Sequence, residues 1–286
     1  MSQHRGPLLM IAAMALFALE DMFLKAAMVQ VSVGFALMVF GAGGMVVFLV
    51  WAALRGERLW HPAIFTPPLM LRSVSEVAGR VFYTVAIAFA PLSLVSAILQ
   101  ATPLVVAIGA VVFFGETVGW RRWLAICIGF VGVLMILRPG TDAFEVTSVL
   151  AVLGMLGFAG RDLATRASPP SMSNVQIGVY GFLMLVIAGG LLTAFQGVGP
   201  LPDLHGTAAL LAAILIGVLA YTCLTGSMRI GTVSITVPFR YTRLIFAMIL
   251  GITVFGERPD LMTWCGAAVI VLSGLYTLFR SEKAAA

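Results

Sequence analysis

Four acids and four bases lie deep within apolar stretches of this chain: Glu20, Asp21, Glu76 and Asp162 against Arg80, Arg161, Arg240 and Arg243. A carboxylate in such surroundings can carry a proton or hold a cation, and a guanidinium fork suits bidentate carboxylate binding. Each charge would cost about 2.5–3.5 kcal/mol at a lipid-facing helix centre, so these residues are expected to face protein or water. Asp21 with Lys25, and Asp162 with Arg166, stand at the i,i+4 spacing of an intrahelical ion pair. That spacing fits a structural staple as well as a gate.

Two other groups are one-sided. Arg72, Glu76 and Arg80 form an i,i+4,i+8 stripe, with Tyr83 near the same face. Arg72 is expected to snorkel to the interface, whereas Glu76 and Arg80 are too deep for that and are expected to line a water-filled cavity. Arg240, Tyr241 and Arg243 follow Pro238, and Gln100 precedes Pro103; each proline removes a backbone hydrogen bond within an apolar run. Gln100 is read as a cavity residue, and Tyr83, Tyr221 and Tyr241 as amphipathic walls. Glu116 and Glu257 each follow Phe-Gly and are read as serving the start of the next helix. Gly129 and Gly132 read as a packing seam.

The elements that must position these groups come in two copies. Met14 to Ala26 aligns with Met155 to Ala167 at a shift of 141 residues, placing Asp21 on Asp162 and Lys25 on Arg166. The same shift lays Phe114-Gly115-Glu116 on Phe255-Gly256-Glu257, Gly217 opposite Glu76, and Tyr221 opposite Arg80. The 286 residues are 61% hydrophobic and 10% charged, with a mean hydropathy of +1.07. Lipid is therefore the expected solvent. Apolar runs cut by Gly, Pro and Arg predict ten membrane helices, at 7–29, 33–54, 64–89, 92–114, 119–138, 146–167, 175–196, 207–228, 232–255 and 260–280. This is an all-α membrane protein of two repeats, 1–140 and 141–286. Five helices per repeat is odd, so the second copy enters from the opposite side. Arg5, Arg55, Arg58, Arg121, Arg122, Arg166, Arg229, Arg280 and Lys283 fall on one side, against Lys25, Arg138 and Arg258 on the other. Both termini are therefore expected in the cytoplasm. Cys127, Cys223 and Cys265 are isolated, and the three histidines avoid the apolar runs. Neither a metal nor a cofactor is called for, no nucleic-acid partner is implied, and no hydrolase or metalloprotease motif is present.

These features resemble the EamA-type drug/metabolite transporter superfamily. The likeness rests on the repeats closing in Phe-Gly-Glu and on the run from Pro91-Leu92-Ser93 to Trp120-Arg121-Arg122-Trp123. Pro238-Phe239-Arg240-Tyr241-Thr242-Arg243 is similar to a segment of its bacterial carboxylate, amino-acid and amine branch. The resemblance implies a carrier, proton-coupled or facilitative, in a bacterial cytoplasmic membrane; the sequence leaves monomer and homodimer both open. Glu20-Asp21 in the first helix departs from many relatives. The expected cargo is a small anionic or zwitterionic metabolite anchored by Arg243 and Arg80, with Arg240 as the alternate. Glu76 or Asp21 is the candidate proton carrier. Glu20, Lys25, Arg161, Asp162 and Arg166 complete the coupling or gating set. Export of amphipathic or cationic compounds is the alternative, and a non-transporting scaffold or lipid-handling subunit is the alternative of another class.

Overall fold

A computed structural model describes residues 5–60, 62–115, 119–138, 145–166, 172–230 and 237–285. Side chains are described throughout these except at 63, 122, 166, 228–230, 237–238 and 277–285. Among the described residues the fold is entirely helical. The helices are α1 (Arg5–Ala27), α2 (Val33–Arg55), α3 (Pro67–Phe89), α4 (Leu92–Leu99), α5 (Thr102–Phe114), α6 (Trp120–Leu137), α7 (Val146–Arg166), α8 (Asn174–Gln196), α9 (Leu204–Ile230), α10 (Thr242–Phe255) and α11 (Leu261–Ala285). Short 3-10 turns occupy Pro62–Phe65 and Val237–Tyr241.

The ends are set by local chemistry. Ser32 accepts the backbone N–H of Phe35 at the start of α2, and Gly56 closes that helix at φ 64°, a conformation that costs a glycine little. Ser173 and Gln176 form a reciprocal capping box on α8. Asp260 caps α11 by accepting from the Thr263 N–H at 3.0 Å and from its hydroxyl at 2.8 Å. Arg138, which ends α6, also donates to Asp260. That hydrogen bond, with those of Thr263, holds the Asp260 carboxyl down at about 2.

Six stretches are long and apolar enough to cross a membrane: Arg5–Ala27, Val33–Arg55, Leu92–Phe114, Val146–Thr165, Asn174–Gln196 and Leu204–Ser227. Trp123–Leu137 and Leu261–Tyr276 are shorter apolar helices, and α3, with Arg72, Glu76 and Arg80, is not among the six. Phe113, Leu134, Leu211, Leu215, Ile249 and Leu272 project outward, as apolar side chains facing lipid would.

Two expected continuous helices are interrupted. The run 92–114 breaks at Gln100 and Ala101, where tight i→i+3 bonds replace the helical ladder just before Pro103. The expected span 232–255 is a 3-10 turn and then α10 over its described part, residues 237–255. The two breaks are tied together. Gln100 Nε2 donates to the carbonyls of Tyr241 at 3.1 Å and Arg240 at 3.4 Å, satisfying acceptors that the irregular backbone leaves free.

The principal packing pairs are α1 with α9, α2 with α8, α3 with α7 and α6 with α11. Exchanging each first-half helix for its second-half counterpart maps this set onto itself. Glycines make the closest crossings. A Cβ at Gly157 would meet the Gly79 backbone, and one at Gly132 would come within 2.8 Å of the Gly266 carbonyl. The seam read at Gly129 and Gly132 is therefore a packing contact against α5 and α11.

Candidate binding cavity

A cavity of ≈ 750 Å³ runs into the bundle from the end that carries the α2–α3 and α7–α8 connections. Trp60, Ile64, Leu69, Met172, Asn174 and Tyr180 line that end, and Tyr180 donates to the Leu59 carbonyl at 2.5 Å. Deeper in, the walls are Phe17 and Glu20 of α1, Phe40 of α2, Arg72, Glu76 and Arg80 of α3, and Arg161, Asp162 and Thr165 of α7. Phe182 of α8, Gly217 and Tyr221 of α9, and Arg240 complete it.

The wall charges are paired, mostly at long range. Arg80 stands 3.4 Å from Glu20, Arg161 stands 3.4 Å from Glu76, and Arg72 stands 4.0 Å from Glu76. Asp162 receives Arg161 at 2.8 Å and Arg240 at 3.8 Å. Charge-assisted bonds normally close to about 2.7–2.9 Å, so only the Arg161–Asp162 pair is tight. Phe40 lies beneath the Arg80 guanidinium at 5.8 Å, and Phe158 beneath that of Arg161 at 4.9 Å. The Tyr221 ring packs edge-on against Phe48 and Phe182.

Beyond Arg80 lies a second cluster. Asp21, with no exposed surface, accepts from Tyr83 at 2.7 Å and from Arg243 at 2.5 Å, and Arg243 also donates to the Tyr83 hydroxyl at 3.1 Å. At the far end of α1, Lys25 donates to the Ala90 carbonyl at 2.6 Å and lies 3.6 Å from Glu257. Glu257 itself accepts from the N–H groups of Leu92 (2.6 Å) and Ser93 (3.0 Å) and from the Ser93 hydroxyl (2.6 Å). These contacts cap the N-terminus of α4 with a carboxylate.

The candidates therefore divide. Glu20, Glu76, Arg80, Arg161, Asp162, Tyr221 and Arg240 share the cavity wall. Asp21, Tyr83 and Arg243 form a closed cluster behind it, and Gln100 and Tyr241 belong to the tie between the broken helices. The Tyr241 hydroxyl abuts Gly274, away from the cavity. The side chain of Arg166, and all of Glu116, lie outside the described residues. Three local readings are corrected. Lys25 does not pair with Asp21, because the α3–α4 turn and Glu257 are nearer partners. Arg72 does not snorkel; it is 8% exposed, bonded to Thr165 at 3.1 Å, and lines the cavity. Glu257 serves α4 rather than the next helix, which Asp260 caps. The aromatic walls Phe40, Phe182 and Trp60 carried no signal in the sequence beyond being aromatic. Among the described residues no cluster of three or more His, Cys, Asp or Glu side chains is arranged to hold a metal.

Several known proteins are similar to this chain. An S-adenosylmethionine uptake transporter of Rickettsia bellii (strain RML369-C) is 26% identical over 215 residues, 75% of this chain and 73% of that protein. A riboflavin transporter of Vibrio cholerae is 30% identical over 240 residues, 81% of this chain and 76% of the relative. A pseudopaline exporter of Pseudomonas aeruginosa is 24% identical over 279 residues, 97% of each chain. One solved crystal structure has the same fold, with a TM-score of 0.67 at 16% identity, covering 98% of this chain and 99% of the other. The EamA-like transporter family model matches twice, at residues 4–138 and 146–279. With the duplicated halves and the charged cavity, that double match makes this multi-pass membrane protein a member of the EamA-like transporter family, and a transporter rather than an enzyme.

Proposed function

We propose that the protein is a secondary carrier moving a small anionic or zwitterionic organic metabolite across the bacterial cytoplasmic membrane by alternating access. The observation that carries this reading is the contrast between loose and locked charge. The pairs on the cavity wall stand mostly at 3.4–4.0 Å, while the Asp21–Arg243 pair behind it has closed to 2.5 Å. Loose pairs facing space can exchange partners with a solute. Arg80 and Arg240 replace Arg243 as the proposed anchors, since both reach the cavity. Glu76, which also reaches it, is the proposed coupling carboxylate in place of Asp21.

Two inverted repeats of five spans, over 1–140 and 141–286, are supported by the double family match and by the exchange symmetry of the packing pairs. The bias of basic residues supports cytoplasmic termini. In that orientation the cavity opens to the cytoplasm, and the Glu257–Lys25–α4 contacts close the opposite side. Export of cations is less well supported, because each acid of the wall already faces at least one arginine.

The test is flux in proteoliposomes, with solutes chosen by thermal stabilisation of the purified protein against a metabolite library. Arg240→Ala is expected to abolish flux of the stabilising solute while leaving the melting temperature near wild type. A scaffold would show no solute-specific stabilisation or flux, and Glu76→Gln would lower its stability alone. That outcome overturns the carrier reading.

A further inference from the structure

Resting on that carrier reading, we propose that the Glu20–Arg80 pair is the docking point for the head group of an ammonium–carboxylate zwitterion, whose apolar or ring-bearing tail lies toward Trp60 and Tyr180. Among the charged pairs of the described wall, this one alone is one-to-one. Glu76 has both Arg161 and Arg72 within 4.0 Å, and Asp162 has both Arg161 and Arg240 within 3.8 Å. Glu20 and Arg80 have each other, at 3.4 Å, longer than a closed charge-assisted bond.

The surroundings leave Arg80 underused. The Nε of Arg80 is buried without a hydrogen-bond partner. A solute carboxylate that took two guanidinium donors would use it once the guanidinium turned toward the cavity. Beside Glu20 stands Gly217, where even a Cβ would lie 3.4 Å from the carboxyl carbon. The same Cβ would meet the Phe40 ring at 2.7 Å, so the glycine lets that ring and the acid approach α9 closely. Phe17, Phe40, Phe182 and Tyr221 wall the same region, and aromatic faces beside a carboxylate suit an ammonium group.

Charge accounting then selects the class of head group. A lone anion captured by Arg80 would strand Glu20, whose side chain is 2% exposed. A lone cation captured by Glu20 would strand Arg80. Either leaves a buried charge uncompensated, which is strongly unfavourable. A zwitterion inserted between the two gives each a new partner and leaves the net charge of the wall unchanged. The rest of the ≈ 750 Å³ cavity is left for the tail.

Three probes sharing one ring and chain test this in the wild-type protein in nanodiscs: homophenylalanine, 4-phenylbutyrate (carboxylate only) and 3-phenylpropylamine (ammonium only). The expected result is binding of homophenylalanine at least tenfold tighter than either analogue, read by calorimetric titration. Glu20→Gln should erase its advantage over 4-phenylbutyrate, and Arg80→Met its advantage over 3-phenylpropylamine, each variant first checked as monodisperse. If either variant misfolds, the wild-type ranking still decides. An advantage under tenfold, or no binding by any of the three, overturns the zwitterion site. Solute-specific flux in the proteoliposome assay would keep the carrier reading standing in that event.

Discussion

Separating Asp21 from Arg243 in a double-mutant cycle measures whether this pair is structural. Asp21 has no exposed surface and accepts from Tyr83 and Arg243, whose side chain is 17% exposed. Removing one partner of a buried pair costs about 3–5 kcal/mol, whereas replacing both by apolar groups of similar volume is often neutral. Asp21→Asn retains volume and an acceptor for Tyr83, so about 3 kcal/mol is expected, mostly from the stranded guanidinium. Arg243→Met leaves the carboxylate with Tyr83 alone and should cost at least as much. The cation–π contacts of Arg243 with Phe17 and Tyr83 vanish in that variant and in the double variant alike, and so cancel from the coupling. The double variant should therefore recover at least about 2 kcal/mol relative to the sum of the singles. Reversible unfolding in mixed micelles titrated with dodecyl sulfate gives all four stabilities. A coupling below about 0.5 kcal/mol, the additivity of independent sites, would refute the pair as a structural lock. A stable double variant that no longer transports would instead return Arg243 to the solute path.

Glu257→Gln removes a charged acceptor from two α4 N–H groups and the partner of Lys25, so it should cost about 1.5–3 kcal/mol. In the same variant a Ser96→Cys reporter, made in a background lacking the three native cysteines, should react faster with a membrane-impermeant maleimide applied from the side that latch closes. Gly157→Val drives a side chain into the backbone of α3 at Gly79 and should abolish the monodisperse peak on size exclusion. The Asp260 carboxyl sits at about 2, below its ordinary 3.8, so its contribution is full above pH 3.8 and is lost as pH falls toward 2. Asp260→Asn should therefore melt below wild type at pH 6, with the gap closing below pH 4. The gap corresponds to under about 1 kcal/mol, because the side chain is 50% exposed and screened.

Helix positions were legible because apolar runs near 20 residues are cut by Gly, Pro and Arg, and most boundaries fall within three residues of expectation. The breaks at Gln100 and before Thr242 were not, since a proline marks one missing N–H but not where the backbone relaxes. That choice is made by the Gln100 amide, across 141 residues of sequence. Depth along α3 is not legible at Arg72, because snorkelling depends on whether Thr165 and Glu76 are near. Arg240 and Arg243 could not be told apart in sequence. They straddle the junction of a 3-10 turn with α10 and leave it toward different partners, Asp162 and Asp21. Glu257 acts 165 residues away in sequence, a contact no local pattern encodes.

The shift of 141 residues links the cavity to the duplication more closely than the charges do. Glu20 and Arg161 are equivalent under it, as are Glu76 and Gly217, Arg80 and Tyr221, and Phe40 and Gly181, and both members of every one of these pairs line the cavity. These four pairs of wall positions are duplicated, while the residues on them are not: an acid corresponds to a base, an acid to a glycine, a base to a tyrosine and a phenylalanine to a glycine. Close packing constrains the scaffold instead, where Gly79 and Gly157, or Gly132 and Gly266, must be small on both sides of a helix crossing. An asymmetric wall has another consequence. Two identical halves would offer a solute the same groups in either orientation, so an ammonium and a carboxylate would have no preferred direction. With Glu20 replaced by a base and Arg80 by a tyrosine in the other half, the two ends of the proposed solute would meet different chemistry, orienting it before the opposite side of the bundle opens.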